Sequence, residues 1–201
     1  MNPINFAQKP VLTGKKVLLR PFKAEDSERM LNILAELDVQ RLTGSVHTDE
    51  EAQKPRTPEQ EQKVREWYAS RNAQTDRLDL AIVDAASGKV IGEAVFNEYE
   101  EYSGNASFRI LIGSDGQGKG LGTEAIELFL RHGFETLGLH RVWLEVYSFN
   151  PRAERVYIKS GFILEGVKRE DFRYNGEYID TKVYGMLRSD YEAISLSSIP
   201  L

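Results

Sequence analysis

Gly113-Ser-Asp-Gly116-Gln117-Gly118-Lys119-Gly120-Leu121-Gly122-Thr123 is the stretch on which the reading of this chain turns. Before it, Ala106–Gly113 carries the branched and aromatic residues of a strand. After it, Leu121, Ala125, Leu128 and Phe129 recur at helical spacing, predicting a helix from about Gly120 to Leu137. A Gly inside a helix costs about 1 kcal/mol relative to Ala. Gly120 and Gly122 at a helix start therefore carry a local penalty, and its usual return is close approach of backbone to a ligand. Free N–H groups at a helix N-terminus bind phosphate oxygens. The bland alternative is a flexible, glycine-rich cap.

Residue types discriminate among phosphate loops. Gly113 to Lys119 matches GxxxxGK, but a P-loop then needs Ser or Thr to hold Mg²⁺, and Gly120 stands there. The dinucleotide pattern GxGxxG fails as well, because counting from Gly118 and Gly120 the third glycine falls at Thr123. The pattern that is met is Gln-x-x-Gly-x-Gly, at Gln117, Gly120 and Gly122.

Outward from the loop, the chain reads as a mixed α/β protein. Strands are predicted at Lys16–Phe22, Leu78–Asp84, Lys89–Asn97, Arg141–Tyr147, Phe162–Lys168 and Tyr178–Leu187, with hairpin turns near Gly88 and Gly104. Ala24–Leu37 has Met30, Ile33, Leu34 and Leu37 on one helical face. Thr57-Pro-Glu-Gln60 opens a second helix, with Thr at the cap, Pro where no N–H is needed, and Gln in capping-box position; Val64, Trp67 and Tyr68 should face inward. His47–Arg56 reads as a loop. Asn150–Pro151 opens a short helix to about Ser160.

The composition is ordinary for a globular protein: 201 residues, 41% hydrophobic, 28% charged, suited to one domain over 1–201 with a core at about 16–194. A net charge of −5 argues against a nucleic-acid binder. No apolar run approaches membrane-span length and no secretory signal is visible. Absence of Cys removes a covalent cysteine intermediate and a Cys-ligated zinc site, and fits a reducing cytoplasm. His47, His132 and His140 do not cluster as metal ligands.

The Gln117–Thr123 loop, between strand and helix, resembles the acyl-CoA pyrophosphate loop of the GNAT superfamily of N-acetyltransferases. Asn150-Pro-Arg-Ala-Glu-Arg-Val-Tyr157, followed by Gly161-Phe162, resembles that superfamily's second signature. Leu19-Arg20-Pro21, Glu165-Gly-Val-Lys-Arg, Asn175-Gly-Glu-Tyr178-Ile-Asp180 and Tyr184-Gly-Met-Leu187 resemble its RimJ/RimL-type branch and polyamine-acetylating relatives. One departure is Gly116, where relatives often carry a larger residue, which predicts a looser loop.

The resemblance implies a GNAT-like central sheet of about seven strands flanked by about four helices. It implies acetyl-CoA as co-substrate, an amine acceptor (a peptide N-terminus or a small amine), no metal, no nucleic acid and no membrane; it allows a homodimer. Backbone groups of Ile110, Leu111 and Ile112 would meet the pantetheine. Gln117, Gly118, Lys119, Gly120, Leu121, Gly122 and Thr123 would cradle the phosphates, with Asn150, Ala153 and Lys159 as further contacts. Tyr157 would protonate the departing thiolate, although a Tyr on a short helix is equally at home in a core.

Strand alternation places Arg141, Trp143, Glu145 and Tyr147 on one face. Glu145 between two aromatics would be partly desolvated and so a useful base, unless it is solvated or paired with Arg141; Glu93 is the reserve candidate. Remaining alternatives are a non-catalytic acyl-CoA-binding module and a phosphotransferase using Gly113–Lys119. The acidic residues of 49–61 and 98–101 would attract a polycationic acceptor if they face the cleft, and otherwise form a solvated surface.

Overall fold

A computed structural model describes residues 4–197. Its centre is one eight-stranded sheet, ordered β1-β2-β3-β4-β5-β6-β8-β7. The strands are β1 (Leu12–Thr13), β2 (Val17–Arg20), β3 (Leu78–Asp84), β4 (Val90–Glu100), β5 (Asn105–Ile112), β6 (Arg141–Tyr147), β7 (Ile163–Tyr174) and β8 (Glu177–Leu187). The strand beyond the seven expected is β1, two residues paired with β2. All neighbouring pairs are antiparallel except β5 with β6. None of the helices among the described residues is long and apolar enough to cross a membrane.

The helices are α1 (Asp26–Leu34), α2 (Leu37–Leu42), α3 (Asp49–Gln53), α4 (Pro58–Ser70), α5 (Leu121–Arg131), α6 (Pro151–Lys159) and α7 (Arg188–Ser197). The expected 24–37 helix is thus two, broken at Ala35 and Glu36. The expected 47–56 loop contains α3, capped by Thr48, whose side chain accepts from the Glu51 N–H. At α4 the capping box forms as the sequence predicts, with Thr57 N donating to Gln60 Oε1 at 2.9 Å. Tyr68 on this helix is buried, but Trp67 is 49% exposed, its ring covered by the Arg71 guanidinium at 3.6 Å. The helix after the glycine loop widens into a π-type turn at His132–Leu137. There Gly133 lies so close to the Phe96 ring that a Cβ would approach it to 2.8 Å.

Two apolar layers form, one on each face of the sheet. On one face Phe96, Phe108, Phe129 and Phe134 pack with Leu80, Ile82, Val142 and Leu144; the Phe96 and Phe129 rings stack at 4.2 Å. On the other, Met30, Ile33, Val39 and Tyr68 cover Ala81, Val83 and Val90. Arg20 and Asp26 form a bidentate ion pair, at 2.6 and 2.9 Å, that fixes α1 against β2.

Candidate active site

The site exists because β5 and β6 part company. They pair only over Asn105–Ser107 and Arg141–Trp143, and beyond those residues they diverge. Gly113 N donates to Ile91 O, which fixes the alternation of the β4–β5 ladder. By that alternation Arg109 and Leu111 direct their backbone polar groups at β4, whereas those of Phe108, Ile110 and Ile112 point to the β6 side, where no strand pairs with them. The opening is a cleft of about 640 Å³ running between the two strands.

Of the three β5 residues expected to meet a ligand through backbone, Ile110 and Ile112 have the right orientation. Leu111 lines the cleft too, with its backbone engaged by β4. The Ile112 carbonyl accepts from Gln117 Nε2 at 3.2 Å, and Gln117 Oε1 accepts from Arg152 at 2.6 Å. This chain ties β5, the glycine loop and α6 together around the cleft mouth.

At that mouth Gly120 caps α5 in the left-handed region (φ 76°), with no side chain capping the helix. The N–H groups of Leu121, Gly122 and Thr123 therefore lack intrahelical partners. Gly118 (φ 76°) has open space where a Cβ would be, and Gln117, Gly118, Gly120, Gly122 and Thr123 line the cleft. Leu121 instead turns into the core, and Lys119 bends away so that its Nζ donates to the Asp115 carbonyl at 2.8 Å. Gly116 does not loosen the loop: it is buried, and a Cβ would come within 3 Å of Ile112 and Ile91.

The second motif enters from α6. Asn150 caps this helix, its Oδ1 accepting from Ala153 N at 3.1 Å. Asn150, Ala153 and Tyr157 line the cleft, whereas Lys159 is exposed and outside it. Tyr157 is buried at 8% exposure, and its hydroxyl makes no hydrogen bond among the described residues. Burial pushes its pKa up to about 12, so it holds its proton at neutral pH.

Three carboxylates line the cleft: Glu93, Glu98 and Glu145. Glu145 does not meet the expected desolvation. It is exposed, and its Oε1 is paired with Lys168 on β7, while Arg141 pairs with Glu165. Glu93, half-buried on β4, is different. Desolvation, reinforced by the nearby Asp79 charge, raises its pKa to about 7; the Tyr68 hydroxyl and the Arg109 and Arg77 charges oppose the rise. Glu98 sits at the β4 bulge with φ 51°, a left-handed conformation that costs a non-glycine residue about 1–3 kcal/mol.

The acidic stretch of 49–61 does not form a funnel. Asp49 accepts from Tyr174 and Asn175, Glu51 from the His47 N–H, and Glu61 pairs with Arg65. No group of acidic, His or Cys residues that could hold a metal occurs among the described residues.

Against models of known families, residues 16–163 match the acetyltransferase (GNAT) domain. The chain belongs to the GNAT acetyltransferase family. A spermidine N(1)-acetyltransferase of Vibrio cholerae is 36% identical over 110 residues, 55% of this chain and 64% of that protein; the chain thus matches under two thirds of that relative's length. Among solved structures, the V. cholerae spermidine N-acetyltransferase in complex with CoA and spermine has a TM-score of 0.76 at 26% identity, covering 89% of this chain and 99% of that one. A GCN5-related N-acetyltransferase from Brucella melitensis shares the fold, with a TM-score of 0.76 at 22% identity over 98% of this chain and 87% of that one.

Several residues at this GNAT cleft carry no motif. Lys16 is one. Glu124 on α5 accepts the N–H groups of Lys15, Lys16 and Val17 at 2.9, 2.7 and 3.0 Å, docking that turn against the helix start. A Cβ at Gly120 would stand 3.3 Å from Lys16 Nζ, so this ammonium adds positive charge at the start of α5. Arg109 on β5 and Trp143 on β6 are the others; the sequence marks Trp143 only as a strand residue on the same face as Glu145.

Proposed function

We propose that this chain is an N-acetyltransferase that moves acetyl from acetyl-CoA directly to a primary amine within a ternary complex. The observation that carries this reading is the pairing of two groups in one cleft. Tyr157, protonated and with a hydroxyl that makes no hydrogen bond among the described residues, meets the cleft from the α6 side. Glu93, with a pKa near 7, meets it from the α4 side of the same splay.

Bound acetyl-CoA supplies an activated thioester. Its fit is supported by the uncapped start of α5 and by the glycines, which leave the backbone of Gly118–Thr123 open to phosphate oxygens. Backbone N–H groups of β5 on the β6 side, at Ile110 and Ile112, are placed to stabilise charge on the thioester oxygen. Glu93 takes the proton of the acceptor ammonium, because only the neutral amine attacks. Tyr157 donates its proton to the leaving sulfur as the C–S bond breaks, and the proton that the nitrogen sheds on becoming an amide restores the Tyr157 hydroxyl. Asn150 has its Oδ1 committed to the helix cap, which leaves its Nδ2 for the pantetheine arm. Glu145, exposed and tied to Lys168, serves as acceptor-side charge.

The acceptor class is a small polycationic amine. The cleft's acceptor face carries Glu93, Glu98 and Glu145, and the relative solved with CoA acts on spermidine. The test is release of CoA thiol by the purified chain with acetyl-CoA and, in turn, spermidine, a monoamine and an N-terminal peptide, with products identified by mass. Release with spermidine, lost in Glu93→Gln and Tyr157→Phe, supports the reading. Tight CoA binding without release on any amine replaces it with a non-catalytic acyl-CoA module.

A further inference from the structure

The proton-binding behaviour of Glu93 depends on residues that no acyl-CoA motif contains. Glu93 lies opposite Ala81 on β3, and Asp79 lies opposite Val95, so the two acids are diagonal neighbours on one face of adjacent strands. Asp79 is 1% exposed and held by Arg77 in a bidentate pair, both bonds at 2.7 Å. Two neighbouring carboxylates do not readily share full charge, so the Asp79 charge favours a proton on the member that Arg77 does not grip. That member is Glu93, which faces the cleft. From the opposite layer Tyr68, buried at 4% exposure on α4, presents its hydroxyl to the Glu93 carboxylate. Arg109 on β5, Arg77 ahead of β3 and Arg71 after α4 are the remaining charges whose fields reach it.

We propose that Tyr68 and the Arg77–Asp79 pair are positioning residues for Glu93, acting on its proton from opposite directions. Tyr68 donates to the carboxylate and favours its charged form. The Asp79 charge, held in place by Arg77, repels a second negative charge and favours the protonated form. Their balance holds Glu93 poised to accept a proton and release it again within each turnover. Neither residue lines the cleft, so each works through Glu93. The inference rests on Glu93 serving as the base.

The experiment is the pH dependence of kcat/KM for a spermidine acceptor in the parent chain and in Glu93→Gln, Tyr68→Phe and Asp79→Asn, each checked for folding by circular dichroism. An acidic limb near pH 7 should be present in the parent and absent in Glu93→Gln. Tyr68→Phe should move the limb to higher pH and Asp79→Asn to lower pH, each by about 1 unit, a reasonable size for one neighbouring group. Limbs that stay in place, or move in the same direction in both variants, overturn the proposal. Should Asp79→Asn fail to fold, the upward shift in the isosteric Tyr68→Phe decides alone. A limb that survives in Glu93→Gln overturns the base assignment instead. Carbon-13 NMR titration of side-chain-labelled glutamates, with the Glu93 signal assigned by its loss in Glu93→Gln, then tests the two shifts without turnover.

Discussion

Replacing Gly122 by Ala should make the fold more stable and CoA binding weaker. Gly122 is in the first turn of α5 and lines the cleft. Its backbone is ordinary helix, and a Cβ there would meet only Ile112, at 3.5 Å, normal van der Waals contact. The methyl therefore causes no clash within the protein. A Gly-to-Ala change at a helical position gains about 0.5–1 kcal/mol, which raises Tm by about 1–4 °C in a chain of this size. The same methyl stands beside N–H groups that have no intrahelical partner, where a phosphate oxygen must come within hydrogen-bond distance. Losing one charge-assisted bond there costs about 1.5–3 kcal/mol, at least tenfold in Kd. Thermal unfolding of the ligand-free protein and CoA calorimetry measure the two terms separately. A more stable variant that binds CoA within about twofold of the parent would refute the phosphate cradle. A less stable one would refute the account of the local packing. Gly120 is the contrasting position: at φ 76° any side chain is strained by about 1–2 kcal/mol, so Gly120→Ala should lower both Tm and affinity.

Tyr157→Phe keeps the ring and should reduce kcat by about 100-fold or more with little change in acetyl-CoA Kd; rapid-quench kinetics with a rate near the parent's would show the hydroxyl to be structural. Glu98→Gln should raise KM for a polyamine but not for a monoamine, the increase shrinking in high salt, and Glu98→Gly should in addition raise Tm by relieving the left-handed strain. The Asp26 carboxyl is held below its usual pKa: burial pushes it up, but hydrogen bonds from Arg20 and Lys23 outweigh that. A depressed folded-state pKa gives stability that is complete above the unfolded value and lost as pH falls through the folded one. Denaturant unfolding should therefore show stability falling below about pH 4, a dependence reduced in Asp26→Asn, which also leaves Arg20 unpaired at about 3–5 kcal/mol.

The sequence by itself determined much of this protein, and for local reasons. Thr57-Pro-Glu-Gln60 and Asn150–Pro151 start helices because capping and the missing Pro N–H act within one turn. Gln117, Gly120 and Gly122 marked the bare start of α5 because glycine conformation and an uncapped helix start are properties of contiguous residues. Tertiary structure decided what depends on charges brought together from distant strands. Glu145 and Glu93 are both strand carboxylates, and the aromatic neighbours that favoured Glu145 in sequence do not set its burial. Lys168, 23 residues along the chain, neutralises Glu145 at the surface. Desolvation and Asp79 raise Glu93 instead, against the opposing hydrogen bond from Tyr68. The acids of 49–61 could be read in sequence as a funnel or as a solvated surface, and the partners of Asp49, Tyr174 and Asn175, come from the far end of the chain. Proton affinity follows burial and through-space fields, and those are set only when the sheet has closed its register.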